Sequence, residues 1–248
     1  MHRWLFALAC SAVACAQAHD APTARVESAP APPPPIESAA LDAELAASQA
    51  IAHPPRTRKV VLHVGDSMVG YGHGLSRALE RRFHAMGIEY HWEAWTSANI
   101  MTVDPAEKKR SGDRDRSERL DKLIKMFHPD LVIMNLGTNN LAIPRAEAFA
   151  DGIRNIAAHL AADGRDCLWV GPLRPKWKYN ADMFDVLREN AGPCQYYDST
   201  PVHPPLQTDD IHPTDAGGEQ WADAVWNRLG EPPVESADPP QAGRRDRE

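Results

Sequence analysis

The stretch Val60-Val61-Leu62-His63-Val64 is almost wholly apolar and stops abruptly at Gly65-Asp66-Ser67. Such a run suits a strand buried on both faces, as in a parallel sheet. A strand of this kind needs helical crossovers that cover it from either side. The sequence downstream supplies them. Tyr71 to Met86 repeats Leu75, Ala78, Leu79 and Phe83 at helical spacing, and Gly87 follows as a C-cap. Tyr90 to Trp95, Leu131 to Leu136, Cys167 to Val170 and Gln195 to Tyr197 read as further strands. Helical stripes separate them: Leu120, Leu123, Ile124 and Phe127; then Phe149, Ile153, Ile156, Ala157 and Leu160; then Phe184 and Leu187. A last helix, about Asp215 to Leu229, turns Trp221, Ala222, Val225 and Trp226 inward. The expected fold is α/β: a three-layer α/β/α sandwich on a five-stranded parallel sheet, in the flavodoxin-like order 2-1-3-4-5.

The sequence outside this pattern divides the chain. Residues 1–18 have the form of a signal peptide, with a short basic start, an apolar stretch from Trp4 to Val13, and Ala16-Gln17-Ala18 as a cleavage site. Ala12-Val13-Ala14-Cys15 opens a second route, lipidation at Cys15 and retention as an envelope lipoprotein. Both routes imply export to the periplasm or beyond. Residues 19–55 are a Pro- and Ala-rich linker with room for one short helix, 56–230 form the folded domain, and 231–248 are a Pro-rich charged tail. After processing, the folded domain keeps Cys167 and Cys194, an even pair that an oxidising compartment would join; two buried free thiols are the plainer reading. If the fourth and fifth strands are adjacent, the two cysteines meet at the end of the sheet away from the strand-end loops. The net charge of −7 argues against a nucleic-acid binder. No apolar run reaches the length of a membrane span, and a monomer is expected.

Four polar clusters follow strands or close the domain: Gly65-Asp66-Ser67, Thr96-Ser97-Ala98-Asn99, Gly137-Thr138-Asn139-Asn140, and Asp209 to His212. In a parallel sheet the first three emerge on one edge, where ligands bind. Acyl transfer needs a nucleophile, a base, a group that orients the base, and donors for the developing oxyanion. Each residue also has a plainer reading: Ser67 or Asp66 as a helix cap, Asn139 as a turn residue, His212 in a turn before Thr214 caps the last helix.

Taken in order, these clusters resemble the four sequence blocks of the SGNH hydrolases, the GDSL esterase and lipase superfamily, over about Val60 to Leu229. The resemblance implies that Ser67 is the nucleophile, His212 the general base and Asp209 the residue that orients it. It implies an oxyanion hole from the N–H of Ser67, a backbone N–H at Ala98 and the side chain of Asn139. The family usually has glycine where Ala98 stands, and Asn99 is the neighbouring alternative donor. Asp210, at another position often held by glycine, rivals Asp209. Asp66 and Asp198 read as structural.

The resemblance implies an exported serine esterase acting on a short-chain or carbohydrate O-acetyl ester, without a cofactor. An O-acyltransferase on envelope glycan would use the same triad, and a catalytically silent envelope binding protein is the reading from another class. Trp95, Trp177 and Tyr179 either border the substrate or pack in the core. The histidines show no metal-binding spacing, and Gly70 to Gly74 does not match a phosphate loop.

Overall fold

In the computed structural model the described residues are 58–70, 74–107 and 116–230. The expectations for the signal, linker and tail, including Cys15, lie outside them. Five parallel strands form one sheet: β1 (Val60–Gly65), β2 (Glu89–Ala94), β3 (Leu131–Asn135), β4 (Asp166–Val170) and β5 (Gln195–Tyr197). Their order is β2-β1-β3-β4-β5, the flavodoxin-like order expected. The helices are α1 (Ser67–Gly70), α2 (Leu75–Ala85), α3 (Ile100–Val103), α4 (Arg116–Phe127), α5 (Ala150–Leu160), α6 (Asp182–Asn190) and α7 (Asp215–Leu229).

Alternation along each strand divides the core in two. Val61, Leu131, Ile133, Leu168 and Val170 pack under Leu79 and Phe83 of α2 and Trp221 and Val225 of α7. Leu62, Val64, Val132, Met134 and Trp169 pack under α4, α5 and α6. Buried indole N–H groups find acceptors: Trp169 Nε1 donates to Leu136 O at 3.0 Å and Trp221 Nε1 to Ser199 Oγ at 2.9 Å.

Parallel register brings the carboxyl ends together. Gly65 stands opposite both Ala94 and Asn135, and Asn135 opposite Val170. At Gly65 the backbones come so close that a Cβ would lie 1.9 Å from Asn135 O. Only glycine lets β1 end there and turn into α1. Cys167 lies near the other end of the sheet, opposite Val132, and is bonded to Cys194 with Cα atoms 4.7 Å apart.

One buried polar pair departs from the apolar pattern of β1. His63 is fully buried, with Nδ1 2.6 Å from Tyr90 Oη. Burial pushes its pKa down from 6.5 to about 3, so the ring is neutral in the folded protein. The folded-state value lies below the unfolded one, so the unfolded chain binds more protons between those limits and His63 costs stability as pH falls through them. Replacing both partners, His63→Leu with Tyr90→Phe, removes that cost without orphaning a hydroxyl. The stability of the double variant relative to wild type should rise by about 1.4 kcal/mol per pH unit on going from pH 6 toward 4. Urea titrations at several pH values measure this, and a constant difference would contradict it.

Candidate active site

The turn that carries Ser67 is built by Asp66. Its Oδ1 accepts from Met68 N at 3.0 Å, and its backbone oxygen accepts from Val69 N at 3.2 Å. Its Oδ2 reaches across to the loop after β3 and accepts from Thr138 N at 3.2 Å. Asp66 is fully buried. Burial pushes its carboxyl up to about 6, against the pull of those N–H donors. Its stability contribution therefore has the opposite sign to that of His63: it is present below 3.8 and lost as pH rises through about 6. Asp66 ties the Ser67 turn to the Asn139 loop.

His212 comes from the loop that leads into α7. That loop is closed by Gln207 N to His212 O at 2.7 Å and Thr214 N to Pro205 O at 2.9 Å. Thr214 caps α7, accepting from Gly217 N at 3.2 Å. Asp209 folds the tip: its Oδ1 accepts from the backbone N–H groups of Ile211 and His212, each at 3.0 Å. Its Oδ2 lies 2.7 Å from His212 Nδ1. The other ring nitrogen, Nε2, lies 2.9 Å from Ser67 Oγ. A carboxylate can only accept, so Nδ1 carries the hydrogen and Nε2 is left to accept from the serine hydroxyl. Partial burial opposes ionisation of Asp209, but the His212 ring and the two backbone donors prevail and hold its carboxyl at about 2. Asp210, the rival acid, takes a positive φ of 58° and turns to Lys176, Oδ1 to Nζ 3.0 Å. The left-handed backbone there explains why a glycine would suit that position.

The groups expected to face an oxyanion are placed differently from expectation. Ser67 N–H, at the start of α1, has no hydrogen-bond acceptor among the described residues. Asn139 Nδ2 donates to Ala98 O at 2.7 Å, which commits one of its two hydrogens. The Ala98 amide itself is not free: it donates to Trp95 O at 2.9 Å, closing a turn with Ser97 at φ 59°. The neighbouring Asn99 amide donates to Thr102 Oγ1 at 3.1 Å, half of a capping box at the start of α3. Ala98 thus reaches the site through its carbonyl, which holds Asn139, and not through its N–H. A second correction concerns Trp95. It is buried, with Nε1 donating to Glu93 Oε1 at 2.8 Å, and belongs to the core. Trp177 and Tyr179 pack edge to face, 6.3 Å between centroids, against the same core.

The sequence reading missed Trp92, Glu93 and Ala94, which border Ser67. A cleft of about 380 Å³ is lined by Ser67, Gly70, Trp92, Glu93, Ala94 and Thr96. It missed Arg116 as well, which donates to Thr96 O at 2.6 Å and Thr102 Oγ1 at 3.0 Å and so braces the turn before α3. Among the described residues no cluster of His, Cys, Asp and Glu could hold a metal ion. No helix among them is long and apolar enough to cross a membrane.

No family model matches the sequence, and no curated protein is similar to it at a significant level. Solved structures are similar in fold. A putative arylesterase from Agrobacterium tumefaciens superposes with a TM-score of 0.54 at 20% identity, covering 69% of this chain and 98% of that one. A member of a carbohydrate acetylesterase family from Sinorhizobium meliloti gives 0.52 at 18% identity, covering 70% and 100%. TesA gives 0.52 at 21% identity, covering 69% and 98%. The five-stranded α/β/α domain described above therefore has the fold of the SGNH hydrolases.

Proposed function

We propose that the chain is an exported serine hydrolase that cleaves short acyl esters, with O-acetylated carbohydrate among its substrates. The observation that carries this reading is the continuous line from Ser67 Oγ to His212 Nε2 at 2.9 Å and from His212 Nδ1 to Asp209 Oδ2 at 2.7 Å. In the proposed reaction Ser67 Oγ attacks the ester carbonyl while His212 Nε2 takes its proton. The Ser67 N–H and the second hydrogen of Asn139 Nδ2 stabilise the oxyanion. His212 returns the proton to the leaving alkoxide, and the alcohol departs. A water molecule, deprotonated by the same nitrogen, then cleaves the acyl-enzyme. Asp209 stays ionised throughout and stabilises the charged imidazole.

Export is supported by the leader in residues 1–18 and by the disulfide between Cys167 and Cys194. The carbohydrate substrate is supported by the likeness in fold to the carbohydrate acetylesterase relative. Acetate release from vinyl acetate and from acetylated xylotetraose tests the reading. Wild type should turn over both esters, and Ser67→Ala should fall to the buffer rate. Equal rates for the two proteins would overturn it.

A further inference from the structure

Trp92 stands apart from the other aromatic side chains. It is 36% exposed, and the remaining large hydrophobic residues exposed to that degree among the described residues are the methionines Met86, Met101 and Met126. Isolated exposed hydrophobic residues need no explanation, but this one lines the same cleft as Ser67. Its place follows from the topology. β2 is an edge strand, so one side of Trp92 has no strand beside it. On the other side it is registered with His63 of β1.

The turn that carries Ser67 rests directly on this residue. A Cβ at Gly70 would lie 2.7 Å from Trp92 Cζ3 and 2.5 Å from Ala94 Cβ. Only the missing side chain lets α1 lie so close to the indole. The cleft thus has one broad aromatic wall, a small apolar residue in Ala94, and polar groups in Thr96 and Glu93. Its volume, about 380 Å³, is that of a small-molecule site.

These walls discriminate between the two halves of an ester. An acyl chain gains most from a closed apolar pocket. A pyranose ring instead has an apolar C–H face and a rim of hydroxyls. It gains from an aromatic plane with hydrogen-bonding groups beside it. We infer that Trp92 is the platform for a pyranose ring in the alcohol half of the ester, stacked so that the acylated hydroxyl lies at Ser67. The inference rests on the esterase reading above for the position of the scissile bond. The sugar is uncharged: Glu93 is clamped by Arg119 Nε, at 2.8 and 3.0 Å, and by Arg119 Nη2 at 2.5 Å, so that the pair presents no net charge to a ligand.

Two measurements test this separately from the chemistry. The first is the ratio of kcat/KM for acetylated xylotetraose to that for vinyl acetate, which has no ring. The ratio should fall at least tenfold in Trp92→Ala, and Trp92→Phe, which keeps an aromatic face, should restore most of it. The second is saturation-transfer NMR with unacetylated xylotetraose, cellotetraose and chitotetraose on Ser67→Ala, which needs no turnover. At least one oligosaccharide should bind, and binding should be lost in Ser67→Ala/Trp92→Ala. Binding that depends on Trp92 in a protein that hydrolyses neither ester would uphold the platform and sink the esterase reading. A ratio within twofold of wild type in Trp92→Ala, or no oligosaccharide bound, would overturn the platform while leaving the esterase reading standing.

Discussion

His212→Ala is expected to lower kcat/KM for a short acyl ester by at least about 10⁴-fold, because the base and the nucleophile act as one unit. Ser67 Oγ lies 2.9 Å from His212 Nε2, and among the described residues no other ring nitrogen or carboxylate bonds to it. Asp209→Asn is expected to cost on the order of 10³-fold for a different reason. The amide can present its N–H to Nδ1, which then accepts, so the ring hydrogen moves to Nε2 and blocks proton removal from Ser67. Asp209 Oδ1 also accepts from Ile211 N and His212 N, so the asparagine variant must be shown to melt near wild type before its rate is read. Initial rates on vinyl acetate measure both. A loss below tenfold in His212→Ala would contradict the proposed base.

The second large effect is on stability. The Cys167–Cys194 bond spans a sequence separation of 27, and both residues are buried against the core under α5 and α6. In the chain-entropy model a loop of that size is worth about 3–4 kcal/mol. Replacing both cysteines by alanine should therefore lower Tm by roughly 6–16 °C for a domain of this size. Activity of the folded fraction should persist, since Cys167 lies near the end of the sheet opposite Ser67. Thermal melts of the oxidised protein and of the double variant decide the matter, and a shift under 2 °C would contradict it.

How much of this was legible in the sequence depends on how local each signal is. Ser67 and Asn139 stand out because polar clusters follow apolar runs, and a parallel sheet gathers such ends on one edge; His212 lies in the loop before the last helix, and its pairing with Asp209 was expected only from the resemblance. The alternation of strands and helices announces a parallel sheet but fits more than one strand order, and the order found is one of the two common ones. Ala98 could not be read correctly, because the fate of its amide depends on a turn in which Ser97 adopts a positive φ. Nothing in the residue types around it announces that. The helix α3 is four residues long and rests on the reciprocal bonds of Asn99 and Thr102, too short for any hydrophobic period to reveal. The Trp92 cleft was hidden for a different reason. Trp92 alternates correctly for a strand, but its exposure follows from β2 being at the edge, and its nearness to Ser67 from the missing side chain at Gly70. Trp95, only three residues on, was the more conspicuous candidate and proved to be core.

The central claim, that Ser67 is a nucleophile activated by His212, is tested most directly by intact-mass spectrometry after treatment with a fluorophosphonate. Wild type should gain a single phosphonyl adduct that maps to Ser67, Ser67→Ala should gain none, and His212→Ala should react far more slowly. An adduct on another residue, or labelling of His212→Ala at the wild-type rate, would contradict the account.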